Sequence, residues 1–194
     1  DATSGSDITL TNDIITAHIN PSHGLTQMVD AAAPGVITSF TTYAGIWALS
    51  VNYTGRALQL TDRGCTYAGA SDVSATEATL AWTCDAGANG ATFLVSAIYR
   101  LKPGAAFLEK RLRVATSQPA SWTYGTFNLT KIALWPSLAA TAAANGSANA
   151  APAELVEHSN PYGGSVGAGK VAGFLRWPAL SRGLFISVAN PFAD

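Results

Sequence analysis

Alternation with a period of two runs through most of this sequence, and no other feature constrains its fold more. Trp47, Leu49, Val51 and Tyr53 share one parity, as do Leu80, Trp82 and Cys84, then Phe93, Val95, Ala97, Tyr99 and Leu101, and later Leu108, Leu112 and Val114. Successive side chains of a strand point to opposite faces, so each run reads as a strand with one face against a core. Lys102-Pro103-Gly104 suits a reversal between residues 95–101 and 106–115, because proline presets φ and glycine tolerates positive φ; Glu109, Arg111 and Arg113 fall on the outward face of that hairpin. Asn20-Pro21-Ser22-His23-Gly24 separates residues 14–19 from 25–30 in the same way. Helical periodicity is scarce and no repeat is present. The pattern predicts an all-β, antiparallel β-sandwich with few or no helices.

One stretch breaks the alternation. Residues 138–153 are rich in alanine, are interrupted by Asn145, Gly146, Ser147 and Asn149, and carry no apolar stripe, so they read as a surface linker or loop, with Pro152 starting a short helical turn through His158. The 194 residues are enough for one domain with a full core. Only 12% of them are charged and 48% are hydrophobic, which excludes the composition of a disordered chain. No run reaches the roughly 18 consecutive apolar residues of a membrane span, and the most apolar window, 132–144, is broken by Pro136, Ser137 and Thr141. Net charge is −1, and the basic residues Arg100, Lys102, Lys110, Arg111 and Arg113 cluster around a single turn, a poor basis for nucleic-acid binding. The first residue is Asp1 rather than Met, so a processed terminus or a fragment of a longer protein is expected.

Cys65 and Cys84 flank a region that reads strand, turn, strand. If they pair directly across a hairpin, the same register sets Tyr67 opposite Trp82, so a disulfide and an aromatic cross-strand pair agree; two unrelated buried thiols are the alternative. Asn52-Tyr53-Thr54, Asn128-Leu129-Thr130 and Asn145-Gly146-Ser147 match the N-glycosylation pattern, although a chain rich in Ser and Thr produces one or two such matches by chance. With the even cysteine count they predict a secreted or cell-surface protein, and bacterial export accounts for the cysteines equally well.

The famous motifs fail on context. Gly163-Gly164-Ser165-Val166-Gly167-Ala168-Gly169-Lys170 matches the hydrolase nucleophile elbow, most of a phosphate-binding loop and a loose dinucleotide fingerprint at once. No histidine follows Ser165, Val171 replaces the hydroxyl that would hold magnesium, and the strand-turn-helix context is missing, so a surface glycine loop accounts for all three. His18, His23 and His158 lack the spacing of a zinc site, so no metal and no cofactor are expected. Asp62, Asp85, Glu109, Glu154 and Glu157 supply carboxylates, but sequence does not say which of them face one another.

The opening Ile8-Thr9-Leu10-Thr11-Asn12 followed by Gly24-Leu25-Thr26-Gln27-Met28-Val29-Asp30 resembles the first hairpin of galactose-mutarotase-like supersandwich domains. The segment from Tyr99 to Val114 is similar to the long hairpin of sandwich domains at the N-terminus of glycoside hydrolases, and Gly183 to Phe192 is similar to a later strand of those domains. The resemblance implies a non-catalytic sandwich that packs against a downstream catalytic barrel and sometimes lends a loop to a sugar site. The catalytic members of that superfamily, the aldose epimerases, use paired histidines and a glutamate on a larger domain, a set without a counterpart here.

Sugar binding also has a chemical basis in the residues. Aromatic faces stack on the apolar side of pyranose rings, and Trp122, Tyr124, Trp135, Tyr162 and Trp177 fall in or beside irregular segments, where exposure is commoner; the alternative for each is a place in the core. These five are the candidate carbohydrate-binding residues, with no catalytic residue assigned. The leading expectation is a carbohydrate-associated, non-catalytic domain of a secreted glycoside hydrolase-like protein whose partners are a carbohydrate or a downstream catalytic domain. The alternatives are a structural or adhesive surface glycoprotein that binds other proteins, and a free-standing hydrolase or lyase.

Overall fold

A computed structural model describes residues 6–53, 56–85, 92–117, 127–134, 138–144, 147–148, 150–152, 154–159 and 170–187. In chain order the first strands are β1 (Ile8–Thr11), β2 (Ile15–Asn20), β3 (Gly24–Asp30), β4 (Val36–Thr42), β5 (Ala48–Tyr53), β6 (Arg56–Thr61) and β7 (Thr66–Ser71). They continue with β8 (Glu77–Asp85), β9 (Thr92–Leu101), β10 (Leu108–Ser117), β11 (Phe127–Ala133), β12 (Leu138–Ala144), β13 (Glu154–Ser159), β14 (Lys170–Trp177) and β15 (Arg182–Ser187). All described pairings between these strands are antiparallel, and the described helical structure consists of two short 3-10 turns, Asp62–Gly64 and Pro178–Leu180. The all-β antiparallel sandwich expected from the alternation is the fold.

Four sheets carry it, in the strand orders β1-β2-β3-β4-β12, β10-β9-β8-β7, β11-β5-β6 and β13-β14-β15. The first sheet faces the second, with β1 lying against β8 and β9. A single apolar cluster fills the space between them, drawing Leu10 and Ile19 from one sheet, Trp82 and Phe93 from the other, and Leu49 from β5. The alternating residues of β8 and β9 are its densest part: Leu80, Phe93, Val95 and Tyr99 are all at 0% exposure.

Both expected hairpins form. β2 and β3 pair across the Asn20 turn, and β9 and β10 pair from Leu101 opposite Leu108 to Thr92 opposite Ser117. Asn12 fixes the second hairpin to the first sheet, its Nδ2 donating to the carbonyls of Lys102 at 2.6 Å and Ala105 at 2.8 Å. Cys65 and Cys84 form a disulfide, and Tyr67 stands opposite Trp82 with ring centroids 5.6 Å apart. The basic residues around the turn are largely neutralised, with Arg100 on Glu77, and Lys102 and Arg111 on Glu109.

Two expectations are corrected. Residues 138–144 of the Ala-rich stretch are not a linker: they form β12, which pairs with β4 along its whole length, from Leu138 opposite Thr42 to Ala144 opposite Val36. The pleat buries Ala140 and Ala142, whose small side chains let this edge strand close over the core. The short turn expected from Pro152 to His158 is instead strand β13, hydrogen-bonded to β14. Intrinsic preference for helix is outweighed in both places by the pairing available on a neighbouring sheet.

Candidate functional site

Of the five aromatic candidates, Trp122, Tyr124, Trp135 and Tyr162 lie outside the described residues, as does Asn145. Trp177 is described and is a correction, because it is only 2% exposed and its indole N–H donates to the Ala150 carbonyl at 3.0 Å. It shares a parity with Leu175 on β14, and that face turns toward the core, so no sugar ring can stack on it. Asn52 is exposed on β5 directly opposite Asn128 on β11, which puts two of the three glycosylation motifs side by side on one sheet. Within the second of these, Thr130 donates its hydroxyl to the Ser50 carbonyl at 3.0 Å. The glycine loop of 163–169 lies outside the described residues, and Lys170 after it opens β14.

The other face of the same sheet presents a different aromatic. Trp177 ends β14, Pro178 opens the 3-10 turn, and Ser181 takes a left-handed conformation with its N–H on the Pro178 carbonyl at 3.0 Å. That tight reversal sets Arg182 opposite Trp177, Gly183 opposite Arg176 and Leu184 opposite Leu175. Since directly paired residues share a face, Leu175, Trp177 and Leu184 go inward while Arg176, Gly183 and Phe185 go outward. Phe185 is 63% exposed.

A groove of about 320 Å³ is lined by Arg176, Pro178, Ser181, Arg182 and Gly183, and of these Arg176 and Gly183 share the outward face with Phe185. Gly183 places no side chain on that face. One wall is held by an ion pair, Arg182 Nη1 to Asp30 Oδ2 at 2.5 Å, which fastens β15 to β3. The Arg182 hydrogen bond, helped by the Ala32 N–H, keeps the Asp30 carboxyl below its ordinary range. An exposed ring that shares its face with the exposed Arg176 offers an apolar surface for stacking and a guanidinium for hydrogen bonds.

A second polar cluster lies inside the protein. Lys110 points inward from β10 and stands opposite Tyr99, with its Nζ 5.4 Å from the centre of the Tyr99 ring. Burial, together with the charge of Asp62, pushes the Tyr99 phenol far above its usual range. Asp62, first residue of the 3-10 turn after β6, is 7% exposed, and its Oδ1 has no hydrogen-bond partner among the described residues. Gly45 passes so close, with φ at +99°, that a Cβ there would lie 2.2 Å from Asp62 Oδ1. Only glycine fits.

Sequence reasoning missed both sites. Lys110 shares the parity of Leu108, Leu112 and Val114, so a charge on the apolar face of β10 was the available signal. Phe185 gave less warning, because Leu184, Phe185 and Ile186 are apolar on both parities. Among the described residues no group of histidine, cysteine and acidic side chains has the arrangement to hold a metal ion. None of the described helices is long and apolar enough to cross a membrane.

Fold and bridge together define a class, the disulfide-closed antiparallel β-sandwich. Set against known proteins, the sequence matches no family description, and no curated protein matches it.

Proposed function

We propose that this chain is a non-catalytic, carbohydrate-associated β-sandwich of the galactose-mutarotase-like kind, belonging to a secreted glycoside hydrolase-like protein. The observation that carries this reading is the exposed ring of Phe185 on the outward face that it shares with Arg176 and Gly183 of the groove. A pyranose laid on Phe185 buries its C–H face, and its hydroxyls meet the donors of the groove. The volume of about 320 Å³ is at the small end of ligand sites, which suits one or two sugar rings. The Cys65–Cys84 bridge supports secretion, since such bonds persist in oxidising compartments.

The test is binding of the disulfide-intact chain to a panel of immobilised polysaccharides and a glycan array. Retention on at least one glycan, cut tenfold or more by Phe185→Ala with the melting temperature unchanged, is the expected result. A flat array, or binding indifferent to Phe185→Ala, overturns the reading. A flat array combined with self-association or a protein partner points instead to the structural, adhesive glycoprotein.

A further inference from the structure

Three connections meet at Thr42, the last residue of β4. Its hydroxyl donates to the His23 carbonyl of the β2–β3 turn at 2.7 Å, and Arg63 Nη2, from the turn after β6, donates to the Thr42 carbonyl at 3.3 Å. The link from β4 to β5 is held from within as well. Lys110 Nζ donates to the Ile46 carbonyl at 2.6 Å, Ile46 and Trp47 are both at 0% exposure, and Gly45 lies against the buried carboxylate of Asp62. Above this framework stands Tyr43, 69% exposed, the most open of the large hydrophobic side chains among the described residues.

We propose that Tyr43 and Arg63 form a binding site for an acidic sugar, a pyranose that carries a carboxylate. The Thr42 carbonyl that Arg63 reaches is bonded to the Tyr43 nitrogen, so the guanidinium lies within one peptide unit of the residue that bears the ring. Arg63 is exposed, and among the described residues no carboxylate pairs with it, whereas Arg100, Lys102, Arg111 and Arg182 each have one. Within residues 20–24, 41–47 and 61–65 the only carboxylate is that of Asp62, which is enclosed and faces Gly45. The exposed formal charge of these three turns is therefore positive.

A tyrosine face takes the C–H side of a pyranose, and a guanidinium offers a planar fork to a carboxylate. A neutral sugar leaves the fork without its charged partner, and a bare anion leaves the ring unused. The framework below supports the same conclusion. Enclosing Lys110 and Asp62 costs solvation, and the conformation of Gly45 at φ +99° admits no other residue comfortably. Joining two strands needs no such construction, but presenting a ring in a fixed place gains from it, because affinity rises when the binding groups need no further ordering. The site shares no residue with the groove of β14 and β15, and it stands or falls apart from the reading built on Phe185.

The experiment is calorimetric titration of the disulfide-intact chain with oligomers of galacturonate, mannuronate and glucuronate, and with their uncharged counterparts of galactose, mannose and glucose. At least one acidic oligomer is expected to bind about tenfold or more tighter than its neutral counterpart, and Tyr43→Ala and Arg63→Gln are each expected to weaken it by a similar factor. Phe185→Ala should leave that binding unchanged. Both side chains are exposed, so the melting temperature is expected to hold in both variants. Should Arg63→Gln melt lower, the unaltered chain decides, because its affinity for the acidic oligomer must fall as salt is raised. Salt-independent binding, binding that survives both substitutions, or equal Tyr43-dependent binding of the neutral oligomer overturns the proposal. A loss confined to Phe185→Ala overturns it and leaves the groove reading standing, and a panel without any binding overturns both.

Discussion

The sheet β10-β9-β8-β7 and the sheet β13-β14-β15 follow the same antiparallel rule and differ in the burial of their described side chains. On β8 and β9 every second side chain is enclosed, and a disulfide closes the far edge. Among the described side chains of β14 and β15 only Trp177 is fully buried, with Leu175 and Leu184 partly covered. The first sheet is part of the core. The second is fastened to the rest by a tryptophan whose N–H reaches Ala150 and by an arginine that reaches Asp30. The outer face of its described part carries the exposed ring of Phe185 with Arg176 and Gly183 of the groove.

The contrast can be broken most forcefully at Trp82. It packs edge-on against Trp47 at 5.7 Å and against Tyr67, so Trp82→Ala should cost about 4 kcal/mol, read as a shift in denaturant midpoint. A cost below about 1 kcal/mol would mean the two sheets are buried alike. Reducing the disulfide is expected to come next. Opening a bridge between positions 19 apart removes about 3 kcal/mol in loop-closure terms, measured by comparing unfolding with and without reductant.

The smallest effect is expected at the tether of the second sheet. Arg182→Ala should change stability by no more than about 1 kcal/mol, because the ion pair is partly open to water. Arg182 lowers the Asp30 carboxyl, so the contribution is present above about 3.8 and fades as pH falls through the lower folded value. Unfolding curves at pH 7 and pH 3 should converge for Arg182→Ala and the unaltered chain only at the acid end. A difference that instead grows in acid would remove the tether from this account.

Much of the fold was legible because burial on one face writes a period of two into the chain. The β8, β9 and β10 runs followed from it, the two hairpins from their turn residues, and the register that sets Tyr67 opposite Trp82 from pairing the two cysteines across a hairpin. What was illegible was decided at a distance. Alanine carries no strand signal of its own, and β12 exists because β4 offers it an edge. Trp177 precedes a proline, which suggested an irregular and exposed place, yet its parity with Leu175 turns it inward. The candidate site was the least legible part. Phe185 becomes an exposed ring only through the exact reversal at Ser181, and local sequence does not fix that register.

The pair between Asp30 and Arg182 joins residues 152 positions apart. During synthesis, at roughly 5 to 20 residues per second, β3 therefore waits on the order of 10 to 30 s before its partner on β15 has been made. The hairpin of β9 and β10 needs no such delay. Of the described strands, those that bear the exposed ring are thus the last to be made, and a ribosome stalled just before β15 would hold a chain with most of its core strands complete and its groove missing.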